Sequence, residues 1–411
     1  MRQHSRVTLA HSHFAPTYRT DRLGVKSPAM PIPVNQPVLG EKELEYVSDC
    51  IESGWVSSAG SYLERFEQRW AHYCGRQHGI AVTNGTGALQ AAVASLGLER
   101  GDEIILPSFT IISCATAILH SGARPVLVDC DPETWCMDPD AVRDRIGDRT
   151  RAIMPVHIYG HPVDMDPLSA LAARHQLAIV EDAAEAHGAE YLSGRNGDTG
   201  RWVRCGGLGD ASAFSFYANK LITTGEGGMV VTDDPERAEF LRRYRDLAFT
   251  SGRRFEHHEL GCNLRMTNLQ AALGLAQVER VDEIVARKRQ MGAAYGERLR
   301  DIDGLCLPAE KSWARNVYWM YAVVLEDPGL PDAETLGRRL REHHGVDTRP
   351  FFLGMHEQPA LRSMGLFEGE RYPVTEKIAR RGLYLPSGLA LTESEMDEVC
   401  AAVRTELGRS R

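Results

Sequence analysis

Long apolar runs are missing from this 411-residue chain. No window approaches the ~20 consecutive apolar residues of a membrane-spanning helix, so no membrane partner is expected. Positive charge is also short. Lysine and arginine number 47 against 56 aspartates and glutamates, a formal net charge of −9, which argues against a dedicated nucleic-acid-binding surface. Metal-ligand spacing is absent: nine cysteines occur without CxxC pairs or histidine partners at zinc spacing, and no metal is expected. Their odd number in a large chain fits reduced thiols and a cytoplasmic location. Residues 1–32 are polar and slightly basic, without the apolar core of a secretory signal. They read as a disordered extension or a mis-assigned start. Internal repeats and low-complexity segments are lacking as well.

What is present is ordinary globular composition, 43% apolar and 25% charged, in a chain long enough for a large domain and a smaller one. From Pro33 the pattern becomes regular. Leu44, Val47 and Ile51 form the apolar face of a helix closed by Gly54, and a second helix runs through Leu63, Phe66 and Trp70. Short apolar runs at Ile80–Val82, Ile104–Leu106, Pro125–Val128, Ala152–Val156 and Leu177–Val180 alternate with helical stretches. That alternation predicts βαβ units and a mainly parallel sheet. Thr267 with Gln270 makes a helix-start signature, and the helix continues through Val281, Ile284 and Val285 towards Arg287. After about Arg289 a strand over Val317–Leu325, a helix over Asp332–His344, a strand-like run over Gly382–Ser387 and a last helix over Glu393–Leu407 predict a smaller α+β domain. The expected division is a large domain over 33–289 and a small one over 290–411.

Three stretches carry chemistry. GIAVTNGTGAL, from Gly79, takes a strand through Asn84, Gly85, Thr86 and Gly87 into a helix; it is either a phosphate cradle at a helix N-terminus or a plain strand–turn–helix junction. AIVEDAAEAHGAEY ends a strand on Glu181 and Asp182, and an Asp there serves as a cap or as a ligand group. SFSFYANKLITTGEGGM delivers Lys220 between apolar or aromatic residues and a Thr/Gly-rich loop, where a solvated lysine is out of place. In a parallel sheet all three fall at the carboxyl ends of strands, where ligands gather. Between the last two lies RNGDTGRWVRCGG, Arg195–Gly207, which reads as a surface excursion or a basic flap. A lysine amine, a strand-end carboxylate and an anion cradle together match the needs of pyridoxal 5′-phosphate: a Schiff-base partner, a group on the pyridinium nitrogen, and a phosphate seat.

These motifs, with GDEIILPSFT, MPVHIYGHPVDMDP and NLRMTNLQAALGLAQ, give a chain that resembles the DegT/DnrJ/EryC1/StrS family of sugar aminotransferases from about Pro33 to its end. The resemblance implies an α/β fold of type I, that of aspartate aminotransferase, with pyridoxal 5′-phosphate as cofactor. It implies Lys220 as the catalytic, Schiff-base lysine and Asp182 on the pyridine nitrogen. It implies Glu185 near the 3′-oxygen, and Gly85, Thr86 and Ser215 on the phosphate. Asn263 would reach the neighbouring subunit's phosphate, making a homodimer with shared sites. Tyr217, His187 and Phe109 are candidate substrate residues. Family members place an aromatic residue against the cofactor ring where this chain has Ile111, and Phe109, two residues earlier, would share its face in a strand. The implied reaction moves an amino group from an amino acid, L-glutamate, to a nucleotide-linked keto-deoxy sugar, GDP-4-keto-6-deoxy-D-mannose, with another nucleotide keto sugar or a cyclitol as the alternative acceptor. A sugar dehydratase of this fold would carry His in place of Lys220, and a non-catalytic regulator would not need intact cofactor residues.

Overall fold

The computed structural model describes residues 31–194, 200–249 and 255–408. The expectation for the N-terminal extension lies outside them, except that Ile32 is already buried and bridged to Val346. In chain order the strands are β1 (His78–Val82), β2 (Glu103–Pro107), β3 (Arg124–Val128), β4 (Thr150–Ile153), β5 (Ala178–Asp182), β6 (Glu190–Ser193), β7 (Arg201–Arg204), β8 (Ala211–Ser215), β9 (Gly228–Thr232), β10 (Leu305–Cys306), β11 (Ala314–Arg315), β12 (Tyr321–Leu325), β13 (Arg349–Pro350) and β14 (Gly382–Leu385). Seven of them make one sheet in the order β1-β9-β8-β5-β4-β2-β3. β9 alone runs against its neighbours, so the sheet is mainly parallel, as expected. Its strands are buried along nearly their whole length, which is why they read as continuous apolar runs rather than as alternation.

Helix Ser61–Tyr73 buries Phe66 and Trp70 completely, with Phe216 and Phe214 edge-on at 5.1 and 4.9 Å between ring centroids. Helix Glu41–Ser53 departs from its expected orientation. Leu44 and Ile51 are exposed, and Glu43 and Cys50 face inward instead. Glu43 can be buried because it accepts hydrogen bonds from Gly40 N–H, Gln277 and Arg280, which replace its lost water. The same arginine ends the helix after Thr267. Arg280 has φ −120°, so Asn268–Glu279 and Val281–Leu299 are two helices, not one. The Thr267–Gln270 capping box is present in both directions.

The second of these helices joins two cores. Val281 and Ile284 belong to the large cluster around the seven-stranded sheet, while Met291, Tyr295 and Leu299 pack with Tyr321, Leu336, Leu385 and Val399 in a smaller one. The smaller cluster underlies an antiparallel sheet, β10-β12-β14-β13. The strand expected over Val317–Leu325 begins only at Tyr321, because Tyr318 takes a left-handed φ of 48°. β11, β6 and β7 form a third sheet. The end of the Arg195–Gly207 segment therefore has regular structure, pairing β7 with β6 residue by residue from Arg201↔Ser193 to Arg204↔Glu190; positions 195–199 lie outside the described residues. No described helix is long and apolar enough to cross a membrane.

Glu181, the next-to-last residue of β5, is fully buried and accepts from Gly206, Leu208 and Gly209 N–H, the Ser212 hydroxyl and His157 Nε2, at 2.6–2.9 Å. Burial pushes its carboxyl up, but the His157 hydrogen bond and the other partners outweigh this and hold it at about 2 against a usual 4.5. A carboxyl depressed in the fold stabilises fully above its unfolded value and loses that contribution as pH falls through its folded one. Glu181→Ala is expected to cost about 3–5 kcal/mol at neutral pH and to flatten the loss of stability between about pH 4.5 and 2. Urea unfolding at several pH values measures both; an unchanged acid limb would contradict the assignment.

Candidate active site

β1 ends in a tight turn. Asn84 caps helix Gly85–Ala94, its Oδ1 accepting from Gly87 N–H at 2.8 Å. This leaves the leading amides of Gly85 and Thr86 at the positive end of the helix. Thr86 Oγ1 lies 2.8 Å from Ser113 Oγ. Gly85 is required by proximity: a Cβ there would stand 2.7 Å from Ser215 Cβ and 3.0 Å from its Oγ. The end of β8 and the helix N-terminus therefore meet closely, with two amides and three hydroxyls gathered in one concave corner.

The carboxylates enter from β5 and the turn after it. Asp182 is 2% exposed. Cys114 Sγ–H donates to its Oδ2 at 3.1 Å and Ala184 N–H to its Oδ1 at 3.0 Å. Glu185 accepts from Tyr159 N–H at 2.7 Å through Oε2, an approach made by Tyr159's left-handed backbone, φ 51°. Its other oxygen lies 3.8 Å from Lys220 Nζ. Lys220 in turn sits with Nζ 3.6 Å from the centroid of the Trp319 ring, and Trp319 Nε1 donates to Asn219 O at 2.8 Å. Burial pushes the Lys220 amine down, opposed by Glu185 and Asp182, and pushes the Glu185 carboxyl up, opposed chiefly by Lys220. Each group moves towards its neutral form.

One cavity of about 310 Å³ joins these parts. Gly85, Thr86, Asp182, Glu185, Ser215, Tyr217 and Lys220, all expected at the site, line it together. A larger open groove of about 680 Å³ beside Lys42, Arg65 and Glu279 holds none of them, so the smaller cavity is the candidate site. Three expected residues are elsewhere. Phe109 is sealed among Tyr159, Phe351 and Phe352, whereas Ile111 lines the cavity. The shared-face argument fails there because β2 has ended at Pro107 and the chain is turning into helix Ile112–His120. His187 lies in a cage of Trp70, Phe214 and Phe216, and burial pushes it down to about 3; a neutral, enclosed ring does not meet a substrate. Asn263 is exposed, its backbone bridged to Asp246 and its side chain outside the cavity. His157 is taken up by Glu181 and by Val163 N–H, which it accepts at Nδ1.

Sequence reasoning missed Trp319, Phe352 and Tyr384, which close the cavity from beyond residue 290, and Cys114 behind Asp182. The aromatic run VYWMY was the available signal for Trp319, but it reads as strand. Cys114 carries no motif.

A mainly parallel sheet presenting a largely enclosed lysine, a held carboxylate and a helix-start corner at one edge is consistent with the architecture of fold-type I, pyridoxal 5′-phosphate-dependent transferases. A solved structure agrees: the aminotransferase TlmJ of Streptoalloteichus hindustanus matches with a TM-score of 0.83 at 32% identity, covering 92% of this chain and 99% of that one. The chain belongs to the DegT/DnrJ/EryC1/StrS aminotransferase family, whose model matches residues 37–404. Among curated proteins it is similar to GDP-perosamine synthase of Caulobacter vibrioides, 40% identical over 373 residues, 90% of this chain and 97% of that protein. It is also similar to the dTDP-3-amino-3,4,6-trideoxy-alpha-D-glucose transaminase of Streptomyces venezuelae, 38% identical over 352 residues, 84% and 87% of the two chains.

The close approach at Gly85 makes a specific prediction. Gly85→Ala fills the anion corner, and affinity for pyridoxal 5′-phosphate should fall by roughly tenfold or more, about 1.4 kcal/mol, measured by quenching of tryptophan fluorescence in the apoprotein. Ser95→Ala, at the far end of the same helix, should leave affinity unchanged.

Proposed function

We propose that this chain transfers the amino group of L-glutamate to the keto group of a nucleotide-linked keto-deoxy sugar, and that the acceptor is GDP-4-keto-6-deoxy-D-mannose, giving GDP-perosamine. The observation that carries the transferase chemistry is the convergence of Lys220, Asp182 and the Gly85–Thr86 corner in one cavity. The acceptor rests on similarity to GDP-perosamine synthases, 36–40% identical over about nine-tenths of the chain.

The residues present fit the cofactor, since the corner that Gly85 keeps open offers helix-start amides and hydroxyls to a phosphate. When bound, pyridoxal 5′-phosphate supplies an aldehyde for amines and a ring that accepts electrons. In this reading Gly85, Thr86 and Ser215 would hold the phosphate. Asp182, fixed by Cys114 and Ala184, would pair with the ring nitrogen, and Glu185 would serve the ring's 3′-oxygen. Lys220 would be the group that bonds the aldehyde, and its amine would be the one to move the proton at the substrate's α-carbon. Its buried setting favours the neutral amine that must accept that proton. Tyr217, half in solvent at the cavity mouth, is the substrate contact we favour.

We further propose a homodimer in which the partner subunit's Asn263 completes the phosphate seat. Its support is the outward-facing Asn263, together with Leu44, Ile51, Trp55 and Val56 left exposed on and after the first helix, an apolar stripe suited to a second copy. The division into 33–289 and 290–411 is supported by the passage of helix Val281–Leu299 from one core to the other.

Purified enzyme should be yellow, and glutamate should bleach it to a colourless amine form. Lys220→Ala should lose the chromophore and lower turnover by roughly 10³-fold or more. If glutamate and other amino acids leave the spectrum unchanged, the transferase reading falls. Supplying glutamate with GDP-, UDP- and dTDP-linked keto sugars tests the acceptor. Similarity to the dTDP-sugar transaminase at 38% makes a dTDP-linked acceptor the second reading, and amination of that sugar alone would replace the first.

A further inference from the structure

Helix Ala333–His344 ends on two histidines, and both reach the same oxygen of one buried carboxylate. His343 Nδ1 lies 3.0 Å and His344 Nε2 2.9 Å from Oε1 of Glu406, on helix Glu393–Gly408. The three ligand atoms fall within 4.8 Å of one another. Around a tetrahedral ion bound at about 2.1 Å, ligand atoms stand about 3.4 Å apart, about half an ångström beyond the two histidine–carboxylate separations. Glu406 is 1% exposed, while the side chains of His344 and His343 are 24% and 48% exposed. The cluster therefore has a protein floor and a face open to water. One further feature favours a cation: the histidines close the carboxyl end of a twelve-residue helix, where the dipole is negative.

We propose that His343, His344 and Glu406 bind a divalent first-row transition ion of the zinc type, with water completing its shell. Two imidazoles and one carboxylate suit such an ion and not Mg²⁺ or Ca²⁺, which take oxygen. None of the three residues lines the catalytic cavity. The ion fastens the C-terminal helix to its neighbour in the smaller core and takes no part in amino transfer. The site revises the expectation of no metal: it uses no cysteine, and a His-His pair matched to a glutamate on a distant helix leaves no spacing signature.

The test uses untagged, full-length holoenzyme, stripped with EDTA and titrated with ZnCl₂ by calorimetry. One equivalent should bind per chain, with a dissociation constant below about 10 µM, and the melting midpoint should rise by several degrees at saturation. His343→Ala/His344→Ala should weaken binding at least tenfold and abolish the rise, while the glutamate-induced bleaching stays intact. Glu406→Gln, which keeps the buried shape, should do the same. Failure to find saturable one-equivalent binding by about 100 µM Zn²⁺, or equal binding by the double variant, would overturn the site and leave a carboxylate hydrogen-bonded to two imidazoles.

Discussion

A carboxylate can be buried in a protein only where hydrogen bonds replace its water, and Glu181 has five. Those bonds do more than satisfy one group. They tie the end of β5 to the turn at Gly206–Gly209 and to the start of β8, and so accompany the pairing of Val180 with Ala211 and Asp182 with Ala213. Neighbouring residues of a strand point to opposite faces. With Glu181 committed to one face, Asp182 is directed to the other, where Cys114 and the cavity lie. Two residues beyond Ala213, Ser215 closes the strand against Gly85. One structural carboxylate thus supports the register that brings the Gly85 corner and Asp182 to the same edge.

The lysine poses the opposite problem. An ammonium withdrawn from water loses several kcal/mol of solvation, and here it regains part through Glu185 at 3.8 Å and the face of Trp319. The compensation is incomplete by design of the site: the carboxylate is itself under pressure to take up a proton, and its second oxygen is already engaged by Tyr159 N–H. A shorter, two-point ion pair would hold Lys220 charged. The looser arrangement leaves an amine whose neutral form is within reach, which is the state that both bonding to an aldehyde and accepting a proton require.

Much of this could be read from the sequence because its signals are local. Continuous apolar runs mark strands covered on both sides, and NGTG, the strand-end Glu181–Asp182 pair and the aromatic-flanked Lys220 each carry their meaning within a few residues. Residues whose meaning depends on tertiary context could not be placed. The Leu44–Ile51 stripe has the right period for a buried face, yet Arg280 and Gln277, more than two hundred positions away, make Glu43 the inward residue. Phe109 and Ile111 exchange roles because the strand ends two residues before Phe109, where period-two reasoning no longer holds. Glu181 itself gives no sign, in sequence, that its partners lie at 157 and 206–212.

The wall supplied from beyond residue 290 shows how an unreadable part is nonetheless constrained. Trp319 must lie flat beneath Lys220, and a regular strand from Val317 would alternate its neighbours past that position. Tyr318 instead takes a left-handed turn, so β12 starts late and the Trp319 carbonyl is left outside the ladder pairs that begin at Tyr321. A buried carbonyl needs a donor. Lys288, 2% exposed on the helix that joins the two cores, donates to Trp319 O at 3.2 Å and also to Ser387 O. Burial pushes its amine down to about 7, a cost that an apolar residue would avoid only by leaving both carbonyls unpaired. The backbone irregularity that positions the tryptophan and the buried lysine behind it therefore belong together. Lys220 is held against an aromatic ring whose own backbone is held by a second lysine.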